Sequence, residues 1–187
     1  MHKVKYYLIT ACLVVSAIVL SYGQKTLSEY TIKSTLLEQI EPSSVPDIEA
    51  YQRSKFKTPI GHFTSVPLIS SKYNRAYRLK GHDDLVQISQ RLDDELTTNW
   101  DKAILGYSEM LTSTESVNYT RYEEQLDNKD FKAYIFFIQD YKLTNANFIL
   151  YQDKKTGLTL FITYISNSPD DVKIVTMRNI INDLKIE

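Results

Sequence analysis

Cysteine is almost absent from this chain of 187 residues, since the only one is Cys12. It lies in the apolar stretch near the N-terminus, so the remainder of the chain has no thiol. Disulfides, thiolate nucleophiles and cysteine metal sites are therefore excluded there. Stability without disulfides must come from packing, which suits an exported bacterial protein better than a small eukaryotic secreted domain.

The N-terminal segment has the composition of a secretory signal peptide. Lys3 and Lys5 precede an apolar run that ends at Leu20, and small residues follow at Ser21 and Gly23. The apolar run is shorter than the roughly 20 residues that a transmembrane helix needs. We therefore expect cleavage after Gly23, with an uncleaved anchor as the alternative.

Basic residues are not in excess, which argues against nucleic-acid binding. The whole chain has 22 Lys and Arg against 23 Asp and Glu, and cleavage after Gly23 would remove two lysines and no acid. A nucleic-acid binder usually shows a basic face. We expect a mature protein of residues 24–187 that lies in the periplasm or at the cell surface, with no stable membrane span and with a protein or another envelope component as its partner.

Motifs of known catalytic sites are absent as well. The chain contains no nucleophile elbow, phosphate-binding loop, dinucleotide fingerprint or HExxH zinc motif. Only two histidines, His62 and His82, follow the N-terminal segment. We therefore expect no enzymatic activity, no cofactor and no bound metal.

The alternative is a small hydrolase or metal-dependent enzyme that uses His82 and nearby acids, Asp83 or Asp94. The turn that contains His82, Asp83 and Asp84 could offer one nitrogen and two carboxylates to a metal. A zinc site normally needs three or four converging protein ligands, and neighbouring side chains in a turn tend to diverge. A second acidic run, at 93–95, could bind calcium. Its position just ahead of a predicted helix gives a simpler interpretation, because a helix dipole favours acids there.

Three runs rich in aromatic and β-branched residues predict consecutive antiparallel strands, at 131–139, 147–153 and 158–166. Gly157 allows a tight hairpin between the last two. If Asp153 pairs with Leu158, apolar side chains fall on both faces of the sheet. A sheet that is wet on one side would read apolar-in and polar-out, so this one needs cover on both faces.

Two helices are predicted to supply that cover, at 99–112 and 169–185. The first has a possible capping box at Thr98 and an apolar stripe formed by Trp100, Ala103, Ile104, Tyr107 and Leu111. The second has Ser168 as its cap and Pro169 at its first position.

The rest of the chain completes the predicted architecture. Further strands are expected at 75–79, 85–92 and, in a polar edge position, 116–125. Four of the five prolines lie between 42 and 67, so residues 24–84 should be partly irregular. We predict a single α+β domain, a mainly antiparallel sheet of about five to seven strands covered by two main helices.

The predicted order from Leu85 onward is strand, helix, four antiparallel strands and helix. This order resembles the PsbP-like domains, helix-covered antiparallel sheets found in many small exported proteins. The resemblance covers residues 85–187 and rests on the order of elements. It implies an accessory or interaction role, and it implies no particular site residues.

Tyrosine is the most unusual feature of the composition, with 14 residues. Four of those on predicted strands are our candidates for a binding surface: Tyr119, Tyr122, Tyr134 and Tyr151. A tyrosine ring offers apolar area together with a hydroxyl, which suits binding. The alternative is that these residues simply pack, because tyrosine favours strands. We predict an exported bacterial accessory or binding domain that is not catalytic and acts in the cell envelope.

Overall fold

The computed structural model describes residues 25–40, 71–91, 99–112, 119–140 and 146–187. In these ranges a 3-10 helix, Leu27–Glu29, precedes the strands and helices, which are β1 Ile32–Lys33, β2 Leu37–Ile40, β3 Asn74–Leu79, β4 Leu85–Gln90, α1 Trp100–Thr112, β5 Tyr119–Asp127, β6 Phe131–Asp140, β7 Ala146–Asp153, β8 Thr159–Ile165, α2 Asp170–Asp183 and β9 Lys185–Ile186. No helix in the described ranges is long and apolar enough to cross a membrane.

Seven of these strands form one sheet in the order β2-β3-β4-β8-β7-β6-β5, and β1 pairs with β9 in a small second sheet. Every pairing is antiparallel. The predicted α+β class and antiparallel sheet are confirmed, and β5 lies at one edge of the described sheet, as its polar sequence predicts. Along the chain, the elements from β4 to α2 also follow the predicted order of strand, helix, four strands and helix.

One face of the sheet, which we call the first face, carries the larger hydrophobic core. Ile135, Ile149 and Ile162 lie side by side on it and are fully buried. Met177 and Ile181 of α2 belong to the same cluster of buried side chains. The predicted hairpin register is correct, since the Asp153 amide donates to the Leu158 carbonyl at 3.0 Å, and Gly157 has the positive φ of 74° that such a tight turn requires.

The opposite face, the second face, carries a smaller aromatic cluster. Tyr134, Phe136 and Leu150 are buried together with Ile104 of α1. The rings of Tyr134 and Phe136 stack with their centroids 5.0 Å apart. Trp100 packs against this cluster only partly buried. The assignment of these strand residues to opposite faces is therefore confirmed, whereas full cover of the sheet by both helices stays a prediction.

The helix starts differ from the predicted ones. Helix α2 begins at Asp170 with Pro169 as its N-cap, and no cap side chain bonds to it. Ser168 instead donates its amide to Ser166 Oγ at 3.0 Å, so its assignment as the cap is wrong. The extended ψ of 156° at Pro169 delays the helix by one residue. At α1 the Asn99 side chain caps the first turn by accepting the Lys102 amide at 3.2 Å, while Thr98 lies outside the described residues.

The end of α2 holds the loop between β1 and β2 in place. The Asp183 carboxylate accepts hydrogen bonds from Ser34 Oγ at 2.5 Å and from the amide and the hydroxyl of Thr35, each at 2.7 Å. Lys33 and Glu187 form an ion pair at 2.5 Å beside the small sheet. Residues 25–40 therefore have defined structure, although they belong to the stretch predicted to be partly irregular.

The first face should dominate the free energy of unfolding. Replacing fully buried Ile149 by alanine should lower that free energy by about 2–5 kcal/mol, because the change leaves a cavity in the core. Val175 of α2 is 53% exposed, so Val175→Ala should change the free energy of unfolding by no more than about 0.5 kcal/mol. Urea melts measure both values, and equal losses would contradict this placement of the core.

The Asp183 contacts predict a pH-dependent stability. Burial raises the pKa of Asp183, but hydrogen bonds from Ser34, Thr35 and Leu36 more than offset it and leave the pKa below its ordinary value. Such a group stabilises the fold above its unfolded pKa, near 3.9, and this contribution is lost as the pH falls through the folded pKa.

Asp183→Asn should therefore lower the free energy of unfolding by roughly 1–3 kcal/mol at pH 7. The difference from the parent protein should shrink towards pH 3. Asp130→Asn, at an exposed turn position, is the control and should have little effect at either pH. A loss for Asp183→Asn that is equally large at pH 7 and pH 3 would show that the charge of Asp183 contributes nothing.

Candidate functional site

The predicted histidine cluster does not converge in the structure. Gly81 has a φ of 78° in the turn between β3 and β4, and His82 and Asp83 are exposed beside it. Asp84 is buried and accepts a hydrogen bond from Tyr164 Oη at 2.5 Å. The second acid therefore anchors the sheet, and only His82 and Asp83 face solvent.

An open pocket of about 400 Å³ lies next to this turn, lined by Glu38, Arg78, Gly81, His82 and Asp83. Arg78 and Glu38 form an ion pair across it at 2.8 Å. In the described part of the chain, no three His, Cys, Asp or Glu side chains are grouped so that they could hold a metal ion. His62 and the acidic run at 93–95 lie outside the described residues.

Two of the four candidate tyrosines are core residues. Tyr134 and Tyr151 are 1% and 2% exposed, so neither ring lies at a surface, and their assignment to a binding surface is corrected. Burial raises the pKa of the Tyr151 hydroxyl. Tyr134 reaches the edge of the sheet only through its hydroxyl, which donates to Glu123 Oε2 at 2.6 Å. The side chain of Tyr119 lies outside the described residues.

Tyr122 is the candidate tyrosine that the structure places at the surface, on edge strand β5. Its ring stacks on Phe137 with centroids 5.4 Å apart, and its hydroxyl donates to Glu124 Oε2 at 2.6 Å. Arg178 of α2 donates to the two Glu124 oxygens at 2.8 and 3.1 Å and to Tyr122 Oη at 3.1 Å. We call Tyr122, Glu124 and Arg178 the edge cluster, because they connect β5 to α2.

The hydrogen bonds of the edge cluster fix its charges. Burial raises the pKa of Glu124, but hydrogen bonds from Arg178 and Tyr122 more than offset it, so the pKa lies below its ordinary value. Burial and the neighbouring Glu124 carboxylate raise the pKa of the Tyr122 hydroxyl. Near neutral pH the cluster is therefore a carboxylate, a guanidinium and a neutral phenol. This combination suits holding a surface in place better than transferring protons.

The main chain of β5 is the second component of this site. The hairpin to β6 closes where the Asn128 amide donates to the Phe131 carbonyl at 3.0 Å. In an antiparallel pair of strands, hydrogen-bonded and non-hydrogen-bonded residue pairs alternate. Because the pair at Asn128 and Phe131 is hydrogen-bonded, it determines which residues of β5 bond to β6 and which direct their main-chain groups away from it. The amides and carbonyls that point away from β6 belong to Tyr119, Arg121, Glu123, Gln125 and Asp127. Within the described ranges, no strand pairs with this side of β5.

Sequence reasoning identified Tyr122 but missed its two charged partners. Glu124 and Arg178 are 54 positions apart in the chain, so no local spacing connects them. The available signal was the alternation of β5, which places Glu124 opposite Ile135 on the first face. An acid on an apolar face needs a partner, and Arg178 lies next to Met177 on the helix that packs there.

Comparison with known proteins found no family model that matches the chain, and no curated protein or solved structure with significant similarity to it. The resemblance to PsbP-like domains therefore stays a prediction from the order of elements. The edge cluster and the pocket beside His82 are the two candidate sites in the described part of the chain.

Arg178→Gln should raise the pKa of Glu124, because burial is then opposed by the Tyr122 hydrogen bond alone. A carboxylate whose pKa is lower in the folded state than in the unfolded state stabilises the fold above the unfolded pKa. This stabilisation is lost on acidification, so the variant, whose Glu124 pKa is less depressed, should lose less stability between about pH 5 and 3. The cost in stability at neutral pH should be small, because the Arg178 side chain is 43% exposed and solvent screens the ion pair. Carboxyl NMR titration measures the pKa. Arg178→Lys is the matched control and should give an intermediate value, whereas an unchanged pKa in Arg178→Gln would contradict the ion pair.

Proposed function

We propose that this protein is an exported accessory or binding domain without catalytic activity, which acts in the bacterial cell envelope on a protein partner. The single observation that carries the proposal is the edge of β5. There a row of outward main-chain groups lies beside the partly buried Tyr122 and the ion pair of Glu124 with Arg178. Such an edge is a common means of protein recognition. The signal-like N-terminal segment supports export to the periplasm or the cell surface.

Three acids of the described structure have structural partners, which favours a binding role over chemistry. Asp84 accepts the hydroxyl of buried Tyr164, and Asp183 accepts the amide and hydroxyl of Thr35. Glu124 is held by Arg178. Each of these carboxylates already has strong donors that connect two elements of the fold. Catalytic acids and bases instead need a pKa near the working pH and access to a substrate.

The arrangement of the helices fits the same proposal. Ile104 of α1 belongs to the cluster on the second face, and Met177 of α2 belongs to the core on the first face. If the two helices cover opposite faces, as the sequence predicts, a partner meets the edges of the sheet rather than its faces. Residues at the β5 edge such as Gln125 and Asp127 are exposed and accessible to such a partner.

A small hydrolase that uses His82 and nearby acids is the second candidate. The observation that favours it is the open pocket beside the turn, where His82 and Asp83 lie near the ion pair of Arg78 and Glu38. A histidine with a neighbouring carboxylate is a common general base. Against it, Asp84 points away into the core.

Site-specific photo-crosslinking in cells separates the two candidates. A crosslinker at exposed Gln125 should capture the same envelope protein reproducibly, whereas one at exposed Lys155 in the β7–β8 turn should not. Purified protein should hold no stoichiometric metal and should not turn over hydrolase substrates. Turnover that His82→Ala abolishes would establish the enzyme instead, and crosslinking equally from both positions would remove the support for a partner at β5.

A further inference from the structure

We propose that the end of the domain that follows the N-terminal apolar segment binds a membrane surface with anionic lipid headgroups. The surface is a basic patch of five described residues: Lys25, Tyr30, Lys72, Tyr73 and Arg75. The inference rests on the proposed location in the cell envelope, but not on a partner at β5. Two observations carry it, which are the excess of positive charge in the basic patch and its short distance along the chain from the apolar segment.

Contacts within the fold bring the two lysine–tyrosine pairs of the patch together. The Ser28 amide donates to the Lys72 carbonyl at 3.0 Å, so the segment before β1 lies beside the start of β3. Lys25 Nζ lies 5.8 Å from the centroid of the Tyr30 ring, and Lys72 Nζ lies 4.8 Å from that of Tyr73. Both lysines are exposed and both tyrosines are half-buried. The patch therefore presents ammonium groups and phenol rings to solvent side by side.

Positive charge is in excess within the patch. Arg75 donates its guanidinium to two main-chain carbonyls at 3.0 and 3.1 Å, and these neutral groups do not cancel its charge. The tyrosine rings likewise attract the lysines without neutralising them. The acid within the patch is Glu29, so three cations stand against one carboxylate. Beside the patch, Lys33 and Glu187 form an ion pair with each other and add no net charge.

The length of chain between the patch and the apolar run favours a membrane surface as the occupant. The run ends at Leu20, five positions before Lys25, and an extended chain of five residues spans at most about 18 Å. While the run lies in a membrane, during export or as a retained anchor, Lys25 stays within that distance of the hydrocarbon. Headgroups occupy the first part of this distance. The patch is therefore held where anionic lipids attract lysine and arginine and where tyrosine is favoured.

Binding through the basic patch leaves the β5 edge of the sheet accessible. Strands β3 and β5 are separated by four other strands in the sheet order, which corresponds to about 24 Å at the usual strand spacing. A domain that binds lipid at the start of β3 therefore keeps the edge cluster at a distance from that contact. The patch then orients the domain on the membrane, and β5 stays available to a protein partner.

A dye placed within the patch tests the proposal. Ser28 is exposed beside the two lysine–tyrosine pairs, and Ser28→Cys in a Cys12→Ser background gives a single thiol for an environment-sensitive dye. Protein purified from the cell envelope is mixed with vesicles of phosphatidylglycerol and phosphatidylcholine, or of phosphatidylcholine alone. The dye emission should shift to the blue with the anionic vesicles and much less with the neutral ones. High salt should reverse the shift, because it screens the attraction.

Charge reversal at the two ends of β3 provides matched variants. Lys72 precedes the strand and Lys80 follows it, and both side chains are exposed. Lys72→Glu should raise the amount of phosphatidylglycerol needed for half of the dye shift roughly tenfold, because it replaces an attraction by a repulsion. Lys80→Glu changes the net charge equally and should behave like the parent protein. A thermal melt of each variant verifies folding.

An equal shift with both kinds of vesicle, a shift that high salt leaves unchanged, or equal effects of the two charge reversals would overturn the proposal. These outcomes do not bear on the proposed partner at β5, which crosslinking from Gln125 tests separately. Conversely, a dye shift as expected without a captured partner would establish membrane binding and remove the support for a partner at β5.

Discussion

Burial of the central strands on both faces is the constraint on which the rest of the structure depends. Ile149 and Leu150 are neighbours in β7 that point to opposite faces, and both are fully buried. Strands of this kind must lie inside the sheet, with their main-chain groups bonded on both sides. Strands with more polar residues therefore lie at the edges of the sheet. Strand β5, which has three acids, lies at one edge of the described sheet.

Packing without disulfides also explains where the acids lie. Asp84, Glu124 and Asp183 each accept hydrogen bonds from a different element of the fold. These directional contacts fix the relative positions of the elements, which hydrophobic burial alone does not determine. The carboxylates of Glu124 and Asp183 stay charged near neutral pH, because their hydrogen-bond donors more than offset burial and hold each pKa below its ordinary value. These three polar contacts are thus structural. In the proposed role, recognition uses the main chain of β5 and the side chains around it.

The sequence was sufficient for the strongly patterned elements and insufficient for contacts between distant ones. Aromatic and β-branched runs predicted β6, β7 and β8 with the correct faces, because alternation is a local property. The cap of α2 was misplaced because Pro169 is compatible with two starting positions. The sequence predicts a surface position for Tyr134 and Tyr151, which is wrong, because strand propensity does not reveal burial. Arg178 could not be paired with Glu124 before the fold was known.

Hydrogen exchange of the free protein tests the central claim most directly. Amides of β5 that bond to β6, such as those of Glu124 and Leu126, should exchange slowly, whereas the outward amides of Gln125 and Asp127 should exchange much faster. Alternating fast and slow exchange along the strand is the result the account predicts. Uniformly slow exchange would show that another part of the chain already occupies this edge, and β5 would then not be a binding surface.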